Sequence, residues 1–226
     1  MKKLKIGMLL FPQITIMDFV GPYEVFIRAN CFDVVIVSHT TASMHAEGGL
    51  TLKADVSFDD CPLLDILFVP GGRGVNPLLT DQHYIRFLQH CGQTAHYVTS
   101  VCTGALVLAA AGLLDGFKAT THWRSLDLLR MMGIETLSER VVIDRNRITG
   151  GGITAGLDFG LVLVSHIGGE DMAKTIQLLL EYSPLPPFES GSPQSAEAHI
   201  LKNAKDLTQA TFDERLTIIQ KMKLLS

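Results

Sequence analysis

Cys102 closes the β-branched run Tyr97-Val98-Thr99-Ser100-Val101 and is followed at once by Thr103-Gly104 and a helix-forming stretch to Leu114. A strand that ends in a cysteine and turns directly into a helix sets the thiol against the helix N-terminus. Unpaired backbone N–H groups and the positive end of the helix dipole stabilise an anion there. A thiol so placed is expected to ionise more readily than at its ordinary pKa of about 8.5. The layout is that of a nucleophile elbow with cysteine in the serine's role, and Gly104 allows close backbone approach. The implied chemistry is covalent catalysis by a thiolate. The plainer reading is a small buried hydrophobe, which is what most cysteines in apolar surroundings are. Cys31, Cys61 and Cys91 take that reading, because nothing around them concentrates positive potential. The intervals between the four cysteines fit neither a metal pattern nor a compact disulfide framework.

Three other groups could join Cys102. Asp18 follows the first apolar run, at the carboxyl end expected of a strand, and is either a catalytic carboxyl or a helix-entry acid satisfying free N–H groups. His122, twenty residues past Cys102, is either a base for the thiol or a hydrogen-bonded residue at the pocket edge. The turn Pro70-Gly71-Gly72 ends another apolar run and can present N–H groups to the same pocket. Glu24 reads as a first-turn acid rather than a catalytic one. The remaining histidines form no ligand spacing.

The elements that position these residues alternate. Buried strands are expected at Leu4–Phe11, Phe32–Ser38, Leu64–Val69 and Tyr97–Val101, and an exposed strand or hairpin at Gly48–Phe58. Phe117–Trp123 reads as a strand leading into a helical stretch to Met131, and Val141–Gly151 as a hairpin turning at Arg145-Asn146. Helices are expected from Gly21-Pro22, with Gly21 as N-cap and Pro22 in the first helical position, and at Tyr84–Cys91, Ala105–Leu114, Thr154–Ile167 and Asp171–Glu181. Such alternation argues for an α/β three-layer sandwich with a mostly parallel sheet, whose sites lie outside the carboxyl ends of the strands. From Tyr182 the chain turns Pro- and Ser-rich, and Ala196–Leu225 reads as a helical tail. The division expected is a domain at 1–181 and an extension at 182–226 that packs on the domain or on a dimer partner.

Composition narrows the class. With 226 residues, 47% of them hydrophobic, the chain can bury one sizeable core. Its net charge of −4 gives no basic face for nucleic acid. No apolar run is long enough to span a bilayer. The basic N-terminus lacks a small-residue cleavage site and reads as the start of a strand, and the cysteine pattern makes a reducing cytoplasm the expected setting.

The segments VPGG (69–72), TSVCTGALVLAAAGLL (99–114) and ATTHW (119–123) resemble the ThiJ/PfpI superfamily, flavodoxin-like proteins related to class I glutamine amidotransferase domains. DFVGPYEVF (18–26), ERVVIDRNRITGGGITAGLDFGL (139–161) and QLLLEYSPLPPFESGSP (177–193) resemble its isocyanide hydratase branch, and the likeness runs through the tail. The resemblance implies a flavodoxin-like fold and Cys102 as nucleophile. It places Asp18 where much of the superfamily carries a glutamate bonded to the cysteine. It also has the backbone N–H groups of Gly72 and Thr103 facing the reacting atoms, and His122 as an accessory group. Thr103 stands where the peptidase-like branch has histidine, which argues against a peptidase. The activity implied is addition of water to an isocyanide to give an N-substituted formamide, through a Cys102 thioimidate with Asp18 as general acid and base. A homodimer is implied, with no metal or organic cofactor. The same scaffold could serve a glyoxalase or deglycase, or a cysteine redox sensor. A ligand-sensing regulator is disfavoured, because the tail is too short for a helix-turn-helix domain.

Overall fold

A computed structural model of the chain describes residues 3–225; Met1, Lys2 and Ser226, the ends of the expected division, lie outside the described residues. β1 (Leu4–Leu9) leads through α1 (Ile16–Phe26) to β2 (Phe32–Ser38). A short antiparallel ribbon, β3 (Met44–His45) with β4 (Thr51–Leu52), precedes β5 (Val56–Ser57) and β6 (Ile66–Val69). Then come α2 (Val75–Leu78), α3 (Gln82–Thr94), β7 (Tyr97–Val101) and α4 (Gly104–Ala110). β8 (Lys118–Ala119) and β9 (Glu135–Thr136) pair on either side of α5 (Leu126–Met131). The hairpin β10 (Val141–Asp144) and β11 (Arg147–Gly150) is followed by α6 (Ala155–Gly168), α7 (Glu170–Leu179) and α8 (Ala198–Leu225).

Seven strands form one sheet in the order β10-β11-β7-β6-β1-β2-β5, parallel throughout except for the β10–β11 hairpin at one edge. β6 and β11 are buried along their whole length, as apolar runs covered on both faces must be. Helices cover both sides of this sheet, giving the flavodoxin-like three-layer arrangement. Phe26 ties the layers together: its ring meets Phe32, Phe68 and Phe159 edge-on at 5.5, 5.9 and 6.3 Å. Each such aromatic pair contributes about 0.5–1.5 kcal/mol beyond simple burial. Among the described residues no helix is long and apolar enough to cross a membrane.

One sequence expectation fails in a way that matters for the site. The first helix starts at Ile16, not at Gly21-Pro22, with Thr15 in extended conformation as its N-cap. Gly21 and Pro22 lie inside the helix, Glu24 is in its last turn, and Asp18 is its first-turn acid. Pro22 forfeits one backbone hydrogen bond, but it is buried, and its ring lies close to Gly156 of α6, where a Cβ would sit 3.2 Å from the ring. Tertiary packing has overridden the local start signal. The strand expected at Phe117–Trp123 shrinks to Lys118–Ala119.

The tail helix α8 lies against α2, α5 and the turn Trp123–Ser125 of its own chain. Asn76 of α2 donates through Nδ2 to Thr211 O (3.3 Å) and Glu214 Oε2 (2.7 Å). Arg215 and Ile219 are buried, whereas Leu207 and Leu224 are exposed.

Candidate active site

The elbow at Cys102 is clamped from three sides. Its φ of +53° is left-handed, a conformation that costs a non-glycine residue about 1–2 kcal/mol and that the surroundings must impose. Its N–H donates to Gly150 O (3.0 Å) and Gly151 O (2.8 Å) at the end of β11. Its carbonyl accepts a 2.7 Å bond from Thr121 Oγ1. On the third side α4 starts so close to β6 that a Cβ on Gly104 would lie 2.1 Å from Val69 O. The Thr103 N–H faces Sγ. Because α4 has only seven residues, this single N–H carries more of the anion stabilisation than any long helix dipole.

Asp18 is fully buried beside the thiol, and neither of its carboxylate oxygens makes a regular hydrogen bond. The Cys102 thiol and the Gly71 N–H are the polar groups that face it. An unsatisfied buried carboxyl is rare and costly, and at a nucleophile it is ready to bond a reacting group. Gly71 is the spacer of this constellation. A Cβ there would lie 2.7 Å from Asp18 Oδ2, 2.7 Å from Thr103 N and 2.8 Å from Cys102 Cβ. Gly71→Ala is therefore expected to destabilise the chain by about 1–3 kcal/mol and to lower Cys102 reactivity. Urea denaturation and alkylation rates check the two effects, and unchanged alkylation would mean that the spacing is not critical. Gly72, at φ +142°, crosses the backbone of Gln13–Thr15 where no side chain fits. Its N–H donates to Thr103 Oγ1 at 3.0 Å, so it braces the turn and is not free for the reacting atoms as expected from sequence.

Electrostatically the pair resists charge. Burial pushes the Asp18 carboxyl up from 3.8 to about 7; the Cys102 thiol and the Gly71 N–H pull it down, and the nearby Glu47 carboxylate pushes it further up. Burial, and then the adjacent Asp18, push the Cys102 thiol well above its ordinary range, against the Thr103 N–H and Arg215, which pull it down. The expected lowering by the helix start is thus outweighed. Two acids this close titrate jointly and share one proton over a wide range.

His122 lines the cavity, but among the described residues no hydrogen bond joins its ring to Sγ. Its Nδ1 accepts from the Arg124 N–H at 3.2 Å. Burial, Arg215 and Arg124 push its pKa down to about 4. A neutral ring with Nδ1 engaged fits the pocket-edge role rather than that of a base.

Cys102, Thr103, Gly72 and His122 border a cavity of about 270 Å³, lined also by Thr15, Glu47, Ile153, Phe212 and Arg215, with Asp18 buried behind the thiol. This is near the low end of small-molecule sites, about 300–1,000 Å³. Sequence reasoning missed Glu47, Thr121, Gly151 and the α8 residues; only the glycine run Gly150-Gly151-Gly152 carried a local signal. Among the described residues no cluster of His, Cys, Asp and Glu could hold a metal ion.

Comparison with known proteins extends this geometry. Over 218 residues the chain is 45% identical to an isonitrile hydratase of Pseudomonas putida, covering 96% of each chain. It is 31% identical over 185 residues to the HTH-type transcriptional regulator GbdR of Pseudomonas aeruginosa, covering 78% of this chain and 50% of that one. The crystal structure of a ThiJ/PfpI family protein from Pseudomonas syringae superposes with a TM-score of 0.94 at 39% identity, covering 97% of this chain and 91% of the other. The DJ-1/PfpI family matches residues 4–166, a span that contains Asp18, the Gly71-Gly72 turn, the Cys102 elbow and His122. The chain belongs to the DJ-1/PfpI family.

Proposed function

We propose that the chain is an isocyanide hydratase, converting R–N≡C and water to R–NH–CHO. The observation that carries this reading is a fully buried Asp18 carboxyl facing the Cys102 thiol. The near full-length likeness to an isonitrile hydratase supports the substrate class. The terminal isocyanide carbon bears a lone pair and resists a nucleophile unless it is protonated as attack proceeds, so the reaction needs a thiolate and an acid on one side of a small cavity.

In the proposed cycle Cys102 Sγ bonds to the terminal carbon while protonated Asp18 gives its proton to the same carbon. The product is the thioimidate R–N=CH–S–Cys102 and an Asp18 carboxylate. Asp18 then accepts a proton from water as the water oxygen adds to that carbon, and the proton passes to nitrogen. Collapse to the formamide breaks the C–S bond, restores the thiolate and returns the hydroxyl proton to Asp18. One negative charge moves from sulfur to carboxylate and back, which is what a pair sharing one proton can do.

The reading treats 1–181 as the catalytic domain and 182–226 as an extension that completes its cavity. It places a homodimer in the cytoplasm: the four cysteines are unpaired, and Leu178, Leu179, Leu185 and Phe188 leave apolar surface open to a partner. The test is turnover of p-nitrophenyl isocyanide by the thiol-reduced protein, followed by absorbance with the product identified by mass. Formation of the N-aryl formamide is expected. No turnover by folded protein, together with turnover of methylglyoxal, would replace isocyanide chemistry with carbonyl chemistry.

A further inference from the structure

We propose that Arg215, supplied by the C-terminal helix α8, is a positioning residue that draws the negative charge shared by Cys102 and Asp18 onto sulfur. The proposal rests on reading these two as the reacting pair. Arg215 is only 6% exposed and borders the same cavity as Cys102. Its guanidinium donates to neutral acceptors alone: Nε to Asn76 Oδ1 at 2.8 Å, Nη1 to Ser125 Oγ at 3.1 Å and Nη2 to Gly72 O at 3.5 Å. Among the described residues no carboxylate forms an ion pair with it. The neighbouring Glu214 is bonded to Asn76 Nδ2 instead. A guanidinium keeps its charge when buried, and a buried charge without a counter-ion is strongly unfavourable. Negative charge on Cys102 offsets that penalty most, ahead of the Glu214 and Glu47 carboxylates.

The other charged and titratable groups around the pair and Arg215 are Glu47, Glu214, His122, Arg73 and Arg124. Glu47 accepts from Thr15 Oγ1 at 3.2 Å, at the start of the helix that carries Asp18. Its carboxylate disfavours charge on Asp18, while Arg215 favours charge on Cys102. The two poles push the shared charge the same way. His122 is neutral, and Arg73 and Arg124 sit nearer the solvent side. The DJ-1/PfpI family match covers residues 4–166, so Arg215 reaches the cavity from outside that span.

Two variants separate charge from bonding. Arg215→Lys keeps the charge and loses the fork of hydrogen bonds; Arg215→Gln keeps an amide donor and loses the charge. The readout is the pH profile of Cys102 alkylation by iodoacetamide, resolved from the other cysteines by peptide mass, which needs no isocyanide turnover. Arg215→Gln is expected to move the midpoint up by about one pH unit or more, the size of effect a nearby charge exerts, and Arg215→Lys to stay near wild type. A midpoint unmoved in folded Arg215→Gln, or moved equally in both variants, would overturn the proposal. The expected alkylation shifts in the two variants, together with no isocyanide turnover by the wild-type protein, would instead count against the function proposed above and leave the role of Arg215 standing.

Discussion

Asp18→Asn is expected to lower kcat for isocyanide hydration by about 10²–10⁴, the usual worth of positioned proton transfer, and at the same time to make the protein more stable at pH 8. The first effect follows because an amide can neither protonate the isocyanide carbon nor accept a proton from water. The second follows from burial. Asp18 titrates at about 7 in the fold against an ordinary 3.8, so between these values the native chain holds a proton that the unfolded chain has lost. Native stability therefore falls as pH rises through this window, and the whole loss is present above about pH 7. The gap corresponds to ~4 kcal/mol; below about pH 4 both states are neutral and the loss vanishes. The Asn variant has no such dependence. Urea midpoints of both proteins from pH 4 to 8 should diverge with rising pH, and parallel curves would show that Asp18 is not buried as an acid. Wild-type kcat/KM should rise as pH climbs through about 7 and the pair loses its first proton, a transition absent from the variant. Full activity in Asp18→Asn would remove Asp18 from the chemistry.

What the sequence could and could not reveal divides along the range of the forces involved. Tyr97–Val101, Cys102 and the helix after it were legible because strand propensity, the small pair Thr103-Gly104 and helix propensity are all local, and the strand bounds agree residue for residue. The β10–β11 hairpin was legible for the same reason: Arg145-Asn146 supplies the turn, and Arg145 adopts φ +54°. The start of α1 was not, since Pro22 reads locally as a first helical position, whereas in the fold it is buried inside the helix and packs beside Gly156, far away in sequence. The bracing of Gly72 by Thr103 Oγ1 spans thirty-one positions. Arg215 was invisible, because a basic residue on an amphipathic tail reads as solvated until the tail is seen lying over the cavity. The thiol's environment was misjudged on one count: the helix start and the neighbouring Asp18 were legible, but complete burial was not, and burial is the larger effect.

Cys102→Ala is expected to abolish turnover, and Cys102→Gly to be equally inactive yet more stable than the Ala variant. Without Sγ there is no nucleophile, no thioimidate and no partner for the shared proton, so residual hydration at wild-type levels in either variant would exclude the covalent route. The stability difference comes from the backbone. At φ +53° alanine keeps a left-handed strain of about 1–2 kcal/mol, and glycine removes it. Glycine returns about 0.5–1 kcal/mol of that gain through the greater freedom of its unfolded chain. A net gain of about 1 kcal/mol remains, worth roughly 2–4 °C in Tm for a chain of this size. Two inactive proteins that differ in this direction would establish that the elbow holds Cys102 in a conformation the backbone resists. The N–H bonds to Gly150 and Gly151 and the Thr121 bond to its carbonyl would then be the restraints that maintain that strain for catalysis. A glycine variant melting at or below the alanine variant would mean that the elbow is relaxed, and those bonds would serve only to fix the register of β7 against β11.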